Sequence, residues 1–261
     1  MYLHATGHTR EPLAIIQKTH TEKLNHRFYN KNKKEQNRIL IVIAICSLTI
    51  IILSIIISIY SGIYLIGILI FGITLSIIAP FFDMPSLKKS GRMIYYSPLF
   101  ITEKPKDGLI KIHGGTLFDY YFVIEKKMNG KQRTDFIIQQ YLEGLLNLIE
   151  KYERDKNMKI SGTSYIINKR TAEKIGFEII NTDILQRLIL TYNYFNILIS
   201  NSIAKNKLTF PNLNKTETFE SNIRQLLERK EYIEKLNKSS KSTIANKVLW
   251  LKTSKNSLIS H

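Results

Sequence analysis

Two short stretches of the sequence combine residues that could support serine chemistry. A histidine followed by two glycines at 113–115 could offer backbone N–H groups to an oxyanion, and Gly-Thr-Ser at 162–164 could form half of a nucleophile elbow. The elbow needs a second glycine where Ile166 stands, and the triad needs a histidine after the acid, where only His261 remains. The sequence therefore argues against a serine hydrolase, and His113 is expected to hydrogen-bond locally in a strand or turn.

Metal and nucleotide chemistry have no signature in the sequence. Five of the six histidines precede residue 114, and no HExxH motif occurs. Neither a Walker loop nor a dinucleotide-binding fingerprint is present. Cys46 is the only cysteine, so an intramolecular disulfide and a cysteine-based metal site are both excluded. We expect no metal site.

One motif points to acyl transfer. Residues 173–178 read Glu-Lys-Ile-Gly-Phe-Glu, and they end a predicted order of helix, strand, short helix and strand that runs from Phe136 to Ile180. This segment resembles the C-terminal half of the GNAT N-acetyltransferases, whose closing motif is similar. The resemblance covers this segment and one short motif. The alternative is that the glycine permits a tight helix-to-strand passage and the phenylalanine enters the core, with no catalysis.

The resemblance implies a cofactor, acyl-coenzyme A, and a place for it. In that family, backbone N–H groups at a helix start hold the pyrophosphate. The loop at 126–135 is the counterpart here, although its glycine pattern matches only in part. The family tyrosine that precedes the closing motif is replaced by Ala172, which leaves Tyr165 as the candidate proton donor. The candidate cofactor-binding residues are Lys127, Gly130, Lys131 and Arg133.

The elements that would position such a site begin with a long apolar stretch. Residues 39–82 contain no charged side chain over 44 positions, whereas about 20 helical residues suffice to cross a bilayer. A break at 60–62 divides the stretch into a span at 39–59 and a span at 63–80, with Pro80 ending the second. The sequence predicts a two-helix transmembrane hairpin.

The flanking charges orient this hairpin. Lysines and arginines are frequent in residues 1–38 and return at Lys88, Lys89 and Arg92, whereas the connecting loop has none. Because basic loops stay in the cytoplasm, the prediction is a multi-pass protein of the cell (inner) membrane with both termini cytoplasmic. The net charge of +17 then suits anionic lipid headgroups as a partner, and no nucleic-acid-binding signature occurs.

Small residues recur along both spans. Ser47, Ser54 and Ser58 are spaced along the first span, and Gly72 and Ser76 stand four apart in the second. Small side chains let helices approach closely in lipid. These small residues form a stripe along the two spans, which would serve either packing within the hairpin or a dimer interface.

Four regions follow from composition: a basic cytoplasmic arm at 1–38, the hairpin at 39–82, an α/β (or α+β) cytoplasmic domain at 83–238 and a basic, flexible tail at 239–261. An amphipathic helix at 11–28, with Phe28 on its apolar face, is expected either to lie on lipid headgroups or to pack on the domain as a solvated helix. Within the domain, strands are predicted at 92–101, 109–113, 117–125, 159–167 and 177–180, and helices at 135–154, 168–175, 184–204 and 217–237. The helix at 184–204 is expected to be buried and to change to strand near its end.

Two functions fit this organisation. One is a membrane-tethered interaction or scaffold module that binds a protein or lipid partner. The other is a membrane-bound acyltransferase that acts on a lipid-linked or amphipathic substrate.

Overall fold

The computed structural model describes residues 24–164 and 169–242. It opens with two long apolar helices, α1 (Lys33–Ser61) and α2 (Tyr64–Lys89), which pack as a hairpin. The side chain of Asn32 accepts a hydrogen bond from the Glu35 N–H and starts α1, and Gly62, at φ 72°, makes the turn. Both helices are long and apolar enough to cross a membrane.

Proline does not end the second helix, contrary to expectation. Helix α2 continues through Pro80 and Pro85 to Lys89. A proline removes one backbone hydrogen bond, but this helix gains packing beyond it. Met84 is buried, and Phe81 and Leu87 pack in the same cluster. These tertiary contacts stabilise the helical turns that follow Pro80.

A mixed six-stranded sheet forms the centre of the domain and confirms the α/β class. Its order is β1-β2-β3-β4-β6-β5, and all neighbours are antiparallel except β3 and β4, which are parallel. The strands are β1 (Met93–Ser97), β2 (Phe100–Glu103), β3 (Leu109–Gly114), β4 (Lys159–Ser164), β5 (Glu178–Ile180) and β6 (Glu217–Asn222).

Helices connect and cover these strands. Helix α4 is the crossover between the parallel strands, as a parallel pair requires. Helices α6 and α7 meet at Asn193, and a 3₁₀ turn at Leu213–Lys215 leads into β6. The helices are α3 (Leu117–Val123), α4 (Gly130–Tyr152), α5 (Lys169–Lys174), α6 (Ile184–Tyr192), α7 (Tyr194–Lys205), α8 (Ile223–Glu228) and α9 at 230–242.

Several predicted elements are confirmed and others are wrong. The helix at 135–154 and the strand at 109–113 are present, whereas 92–101 is divided into two strands by a turn at Pro98. The predicted strand at 117–125 is helix α3, because Thr116 and Asp119 form a capping box. The start of the predicted helix at 217–237 is strand β6, since its residues complete the sheet between β4 and β5.

The region 184–204 also departs from expectation. It forms two helices with no strand, and the first of them buries no side chain. The predicted arm helix at 11–28 is not formed at 24–28, where the chain is extended and then turns. The rest of that helix and most of the tail lie outside the described residues.

The main core lies between the sheet and α4. Ile110, Ile160 and Leu148 are fully buried in it, with Phe177 at 6 % exposure. Gly176 precedes Phe177 at φ 95°, a conformation that favours glycine, and Phe177 then enters the core as the sequence predicts. The helix–strand joint of the closing motif is therefore a structural feature of this domain.

Candidate functional site at the hairpin–domain junction

A buried carboxylate organises the junction between the hairpin and the domain. Asp119, in the first turn of α3, has no exposed surface. Its Oδ2 accepts hydrogen bonds from the Thr116 N–H and hydroxyl, both at 2.7 Å, and its Oδ1 accepts one from the Tyr95 hydroxyl at 2.7 Å. The capping box thus orients Asp119 toward β1 and leaves Oδ1 facing the segment that precedes α1.

That segment, residues 24–31, supplies the other half of the cluster. The His26 ring is fully buried, lies 5.0 Å from the Phe118 ring, and brings Nε2 to 3.3 Å from Asp119 Oδ1. The Tyr29 hydroxyl lies 3.3 Å from that of Tyr95. We call His26, Tyr29, Tyr95, Thr116 and Asp119 the junction network.

Two cationic side chains, Lys88 and Arg27, lie next to the junction network. Lys88, at the end of α2, places Nζ 3.6 Å from the centre of the Tyr29 ring. Arg27 donates from Nε to the Phe122 carbonyl at 2.7 Å and from Nη2 to the Tyr121 and Ile124 carbonyls at 2.6 and 3.0 Å. These carbonyls end α3, where a cation is favoured by the helix dipole. The segment before the hairpin is therefore fastened to both ends of α3.

The tyrosines of the network stay protonated. Burial raises the pKa of the Tyr95 phenol above its ordinary value, and the negative charge of Asp119 raises it further. Burial likewise raises the pKa of Tyr29, with a smaller contribution from Asp119. Both phenols are therefore hydrogen-bond donors at neutral pH. The arrangement holds two chain segments together and offers no phenolate for catalysis.

Sequence reasoning missed this cluster. It placed Phe28 on one face of a helix that would either lie on the membrane or pack on the domain. The structure instead has no helix at 24–28 and buries the Phe28 ring at 1 % exposure against Phe118 and Phe122. Two signals could have revealed it. The pattern Thr-x-x-Asp at 116–119 is typical of a capping box, and the run at 26–29 places aromatic side chains beside the first span.

Two of the four residues predicted to bind coenzyme A, Gly130 and Arg133, contact other parts of the chain. Asn129 and Gln132 form a capping box at the start of α4. A Cβ on Gly130 would overlap the carbonyl group of Lys205, so α7 packs directly on this helix start. Arg133 donates to the Met128, Ile203 and Lys126 carbonyls at 2.9, 2.7 and 3.1 Å.

The remaining candidates have different surroundings. Lys127 and Lys131 are exposed to solvent beside this helix start. Tyr165 lies outside the described residues. Ala172, at the family's tyrosine position, is 1 % exposed and packs in the core. Gly130 and Arg133 therefore have structural roles, and the two lysines are the only members of the predicted set with free charge in the described part of the chain.

The pairing of the parallel strands β3 and β4 stops two residues before the carboxyl end of each strand. Their pairing runs from Leu109↔Lys159 to Ile112↔Gly162. Beyond that point, His113 and Gly114 pair only with β2, while Thr163 and Ser164 pair with β6. The two central strands therefore end in a split of their backbone pairing. His113 itself lies on the surface, with Nε2 3.0 Å from Glu103 Oε1, and this confirms the expected local hydrogen bond.

A second pair of tyrosines lies near this split. The Tyr120 and Tyr141 hydroxyls are 3.3 Å apart, and burial raises the pKa of Tyr141 to about 12. Among the described residues, no three histidine, cysteine, aspartate or glutamate side chains cluster as metal ligands would.

Comparison of the chain with protein-family models, curated proteins and solved structures finds no match in any of the three.

Proposed function

We propose that this chain is a two-span integral protein of the cell (inner) membrane whose α/β domain is a cytoplasmic, membrane-tethered interaction or scaffold module. The observation that carries the proposal is the way the apolar helices join the domain. In the described residues, the junction network uses its polar groups to fix residues 24–31 and the end of α2 to α3 and β1. A rigid link of this kind suits a domain that must keep one orientation at a surface.

The side chains of the hairpin support insertion into lipid. Most of its small polar residues are buried, namely Ser47, Ser54, Ser58, Thr74 and Ser76. The outward-facing residues are large and apolar, as at Ile45 and Ile59, which are about 60 % exposed. Exposure of such an apolar surface to water is unfavourable, whereas lipid acyl chains would cover it.

The flanking charges support the orientation. Lys33 and Lys34 are exposed at the start of α1, and Lys88 and Lys89 end α2. Both groups lie at the same end of the hairpin, next to the domain. Basic residues are retained on the cytoplasmic side and attract anionic headgroups, so the domain and both termini would face the cytoplasm.

Labelling of single cysteines tests this topology. In a Cys46→Ser background, Ser61→Cys lies at the hairpin turn and Glu153→Cys is exposed on the domain. A membrane-impermeant maleimide applied to intact cells should react at position 61 and not at 153, and lysis should make 153 reactive. Reaction at 153 in intact cells would reverse the topology, and recovery of the chain in the soluble fraction would refute the membrane anchor.

The end of the β3–β4 pairing at Ile112 and Gly162 supports a second candidate, the membrane-bound acyltransferase. A split between two central parallel strands is the feature that a GNAT-like cofactor site would need, and the connecting helix begins near Lys127 and Lys131. Such an enzyme would act on a lipid-linked or amphipathic substrate, because tethering confines both to one surface.

Titration with acetyl-coenzyme A and longer acyl-coenzyme A separates the two candidates. The full chain in detergent is required, since removal of residues 24–31 would uncover the Phe118 and Phe122 rings. The scaffold proposal expects no saturable binding. Binding that the double change Lys127→Ala and Lys131→Ala weakens, and that the control Lys156→Ala leaves intact, would favour the acyltransferase. Gly130→Val is unsuitable because its side chain would collide with α7.

A further inference from the structure

Helix α6 carries an apolar stripe that no described part of the chain covers. At about 100° per residue, the five large apolar side chains of this stripe fall within an arc of roughly 140°. No residue of α6 is buried. The exposed fractions are 76 % for Ile184, 63 % for Leu185, 62 % for Leu188, 47 % for Ile189 and 72 % for Tyr192.

The end of this helix touches α2 within its apolar part. The Asn196 side-chain amide donates to the Ser76 carbonyl at 2.6 Å, and the Ser76 hydroxyl lies 3.5 Å from the Tyr192 carbonyl. Ser76 and Asn196 are both buried at this contact. Because Ser76 precedes Asp83, the first charged residue after the apolar stretch, by seven positions, the contact lies about 10 Å along the helix from that charge.

Asn193 keeps its own backbone groups hydrogen-bonded at the kink between α6 and α7. The Asn193 N–H donates to the Ile189 carbonyl at 3.0 Å, and its side-chain amide donates to the same oxygen at 2.9 Å. The Ile197 N–H in turn donates to the Asn193 carbonyl at 3.0 Å. A chain that turns below the headgroups must satisfy its polar groups in this way.

We propose that the stripe on α6 and the kink at Asn193 are a third membrane contact, embedded in the cytoplasmic leaflet and covered by lipid. The inference rests on the proposed insertion of the hairpin. A helix of nine residues is too short to cross a bilayer, which needs about 20, so α6 enters one leaflet and returns through α7. Lipid is the occupant because the Ser76 contact makes the stripe continuous with the apolar surface of α2.

The other face of α6 agrees with this placement. Arg187 is exposed and lies outside the arc of apolar side chains. An amphipathic helix at a membrane surface keeps such a cation among the headgroups while its apolar side faces the acyl chains. The membrane would then hold the domain at two places, the hairpin and α6, and this would fix its tilt.

Fluorescence quenching in lipid vesicles tests the contact. In the Cys46→Ser background, an environment-sensitive fluorophore is attached to Leu188→Cys in the stripe, with Arg187→Cys as the matched control on the other face. Ile56→Cys reports on the hairpin, and Lys131→Cys reports on the exposed surface of the domain. Each protein is reconstituted with lipids that carry a nitroxide on the acyl chain, and iodide serves as the aqueous quencher.

The expected result is nitroxide quenching at 188 as strong as at 56, with iodide quenching confined to 187 and 131. Iodide quenching at 188 together with nitroxide quenching at 56 would overturn this inference and leave the hairpin in the membrane. Protection at 188 from both quenchers would also overturn it, because a protein or a second copy of the chain would then cover the stripe. Iodide quenching at 56 would instead refute the proposed function itself.

Discussion

Asp119 is the residue on which the junction network depends. It has no exposed surface and takes hydrogen bonds from Thr116 and Tyr95, with His26 close by. Asp119→Ala would leave these buried donors without an acceptor, so we expect a loss of about 3–5 kcal/mol in the free energy of unfolding. Chemical unfolding of the full chain in detergent measures this loss. Asp119→Asn keeps one acceptor oxygen and should lose less, and a loss below about 1 kcal/mol for Asp119→Ala would contradict the role assigned to the carboxylate.

The buried tyrosines make the domain sensitive to alkali. Burial raises the pKa of Tyr29, Tyr95, Tyr96 and Tyr141 above the ordinary value of about 10. Below that pH the protonated phenols contribute their full stability. Above it the unfolded chain loses its phenolic protons first, so stability falls by roughly 1.4 kcal/mol per pH unit for each such tyrosine, up to its folded pKa.

This dependence is measured as the denaturant midpoint between about pH 9 and pH 12. Tyr141→Phe removes the contribution of one phenol, so the midpoint of this variant should decrease less steeply with pH. The difference from wild type stops growing near pH 12, because burial raises the pKa of Tyr141 to about 12. The comparison with wild type removes the contribution of lysines, which titrate in the same range. A denaturant midpoint that stays constant through this pH range would show that these tyrosine side chains are not buried.

At the scale of elements, the hairpin turn depends on one serine. The Ser58 hydroxyl accepts a hydrogen bond from the Gly67 N–H at 2.8 Å and donates to the Ile63 carbonyl at 3.0 Å. A Cβ on Gly67 would lie 2.7 Å from that hydroxyl, so the two helices are in close contact. This geometry favours packing within the hairpin as the explanation of the serine stripe.

Ser58→Leu should therefore loosen the hairpin by about 1 kcal/mol or more, since it removes two hydrogen bonds and fills the space next to Gly67. Ile55→Leu, on an outward-facing side chain that is 48 % exposed, is the matched control and should have little effect. Unfolding of the purified protein by increasing amounts of a denaturing detergent measures both variants. Equal midpoints for the two would argue against close packing at Ser58.

At the scale of the whole molecule, the segment before the hairpin is part of the domain. Phe28 packs against Phe118 at 5.0 Å and Phe122 at 5.3 Å between ring centres and is 1 % exposed. We expect Phe28→Ala to destabilise the α/β domain by about 3–5 kcal/mol through loss of buried area and a cavity. Limited proteolysis and chemical unfolding of the full chain measure the loss. Phe210→Ala, at a side chain that is 67 % exposed, is the control, and similar losses for both variants would place Phe28 on the surface.

The sequence by itself determined the features that depend on local composition. A run of 44 residues without charge predicts two apolar helices whatever they pack against, and the amphipathic pattern predicts the helix that became α4. The glycine and phenylalanine at 176–177 likewise predict a tight joint that enters the core, because one needs a positive φ and the other needs burial.

Only the tertiary structure decided the features that depend on partners distant in sequence. Residues 117–123 have strong β-propensity, which reflects packing more than backbone preference. The capping box of Thr116 and Asp119 starts helix α3 locally, and the packing of Phe118 and Phe122 on Phe28, about ninety positions away, stabilises it. Strand β6 is polar and is held by pairing with β4 and β5. The junction network unites residues from three separate segments, at 26–29, at Tyr95 and at 116–119, so no short window of sequence contains it. Likewise, only the tertiary structure shows that the apolar stripe on α6 is exposed and that Asn196, at the start of α7, contacts Ser76.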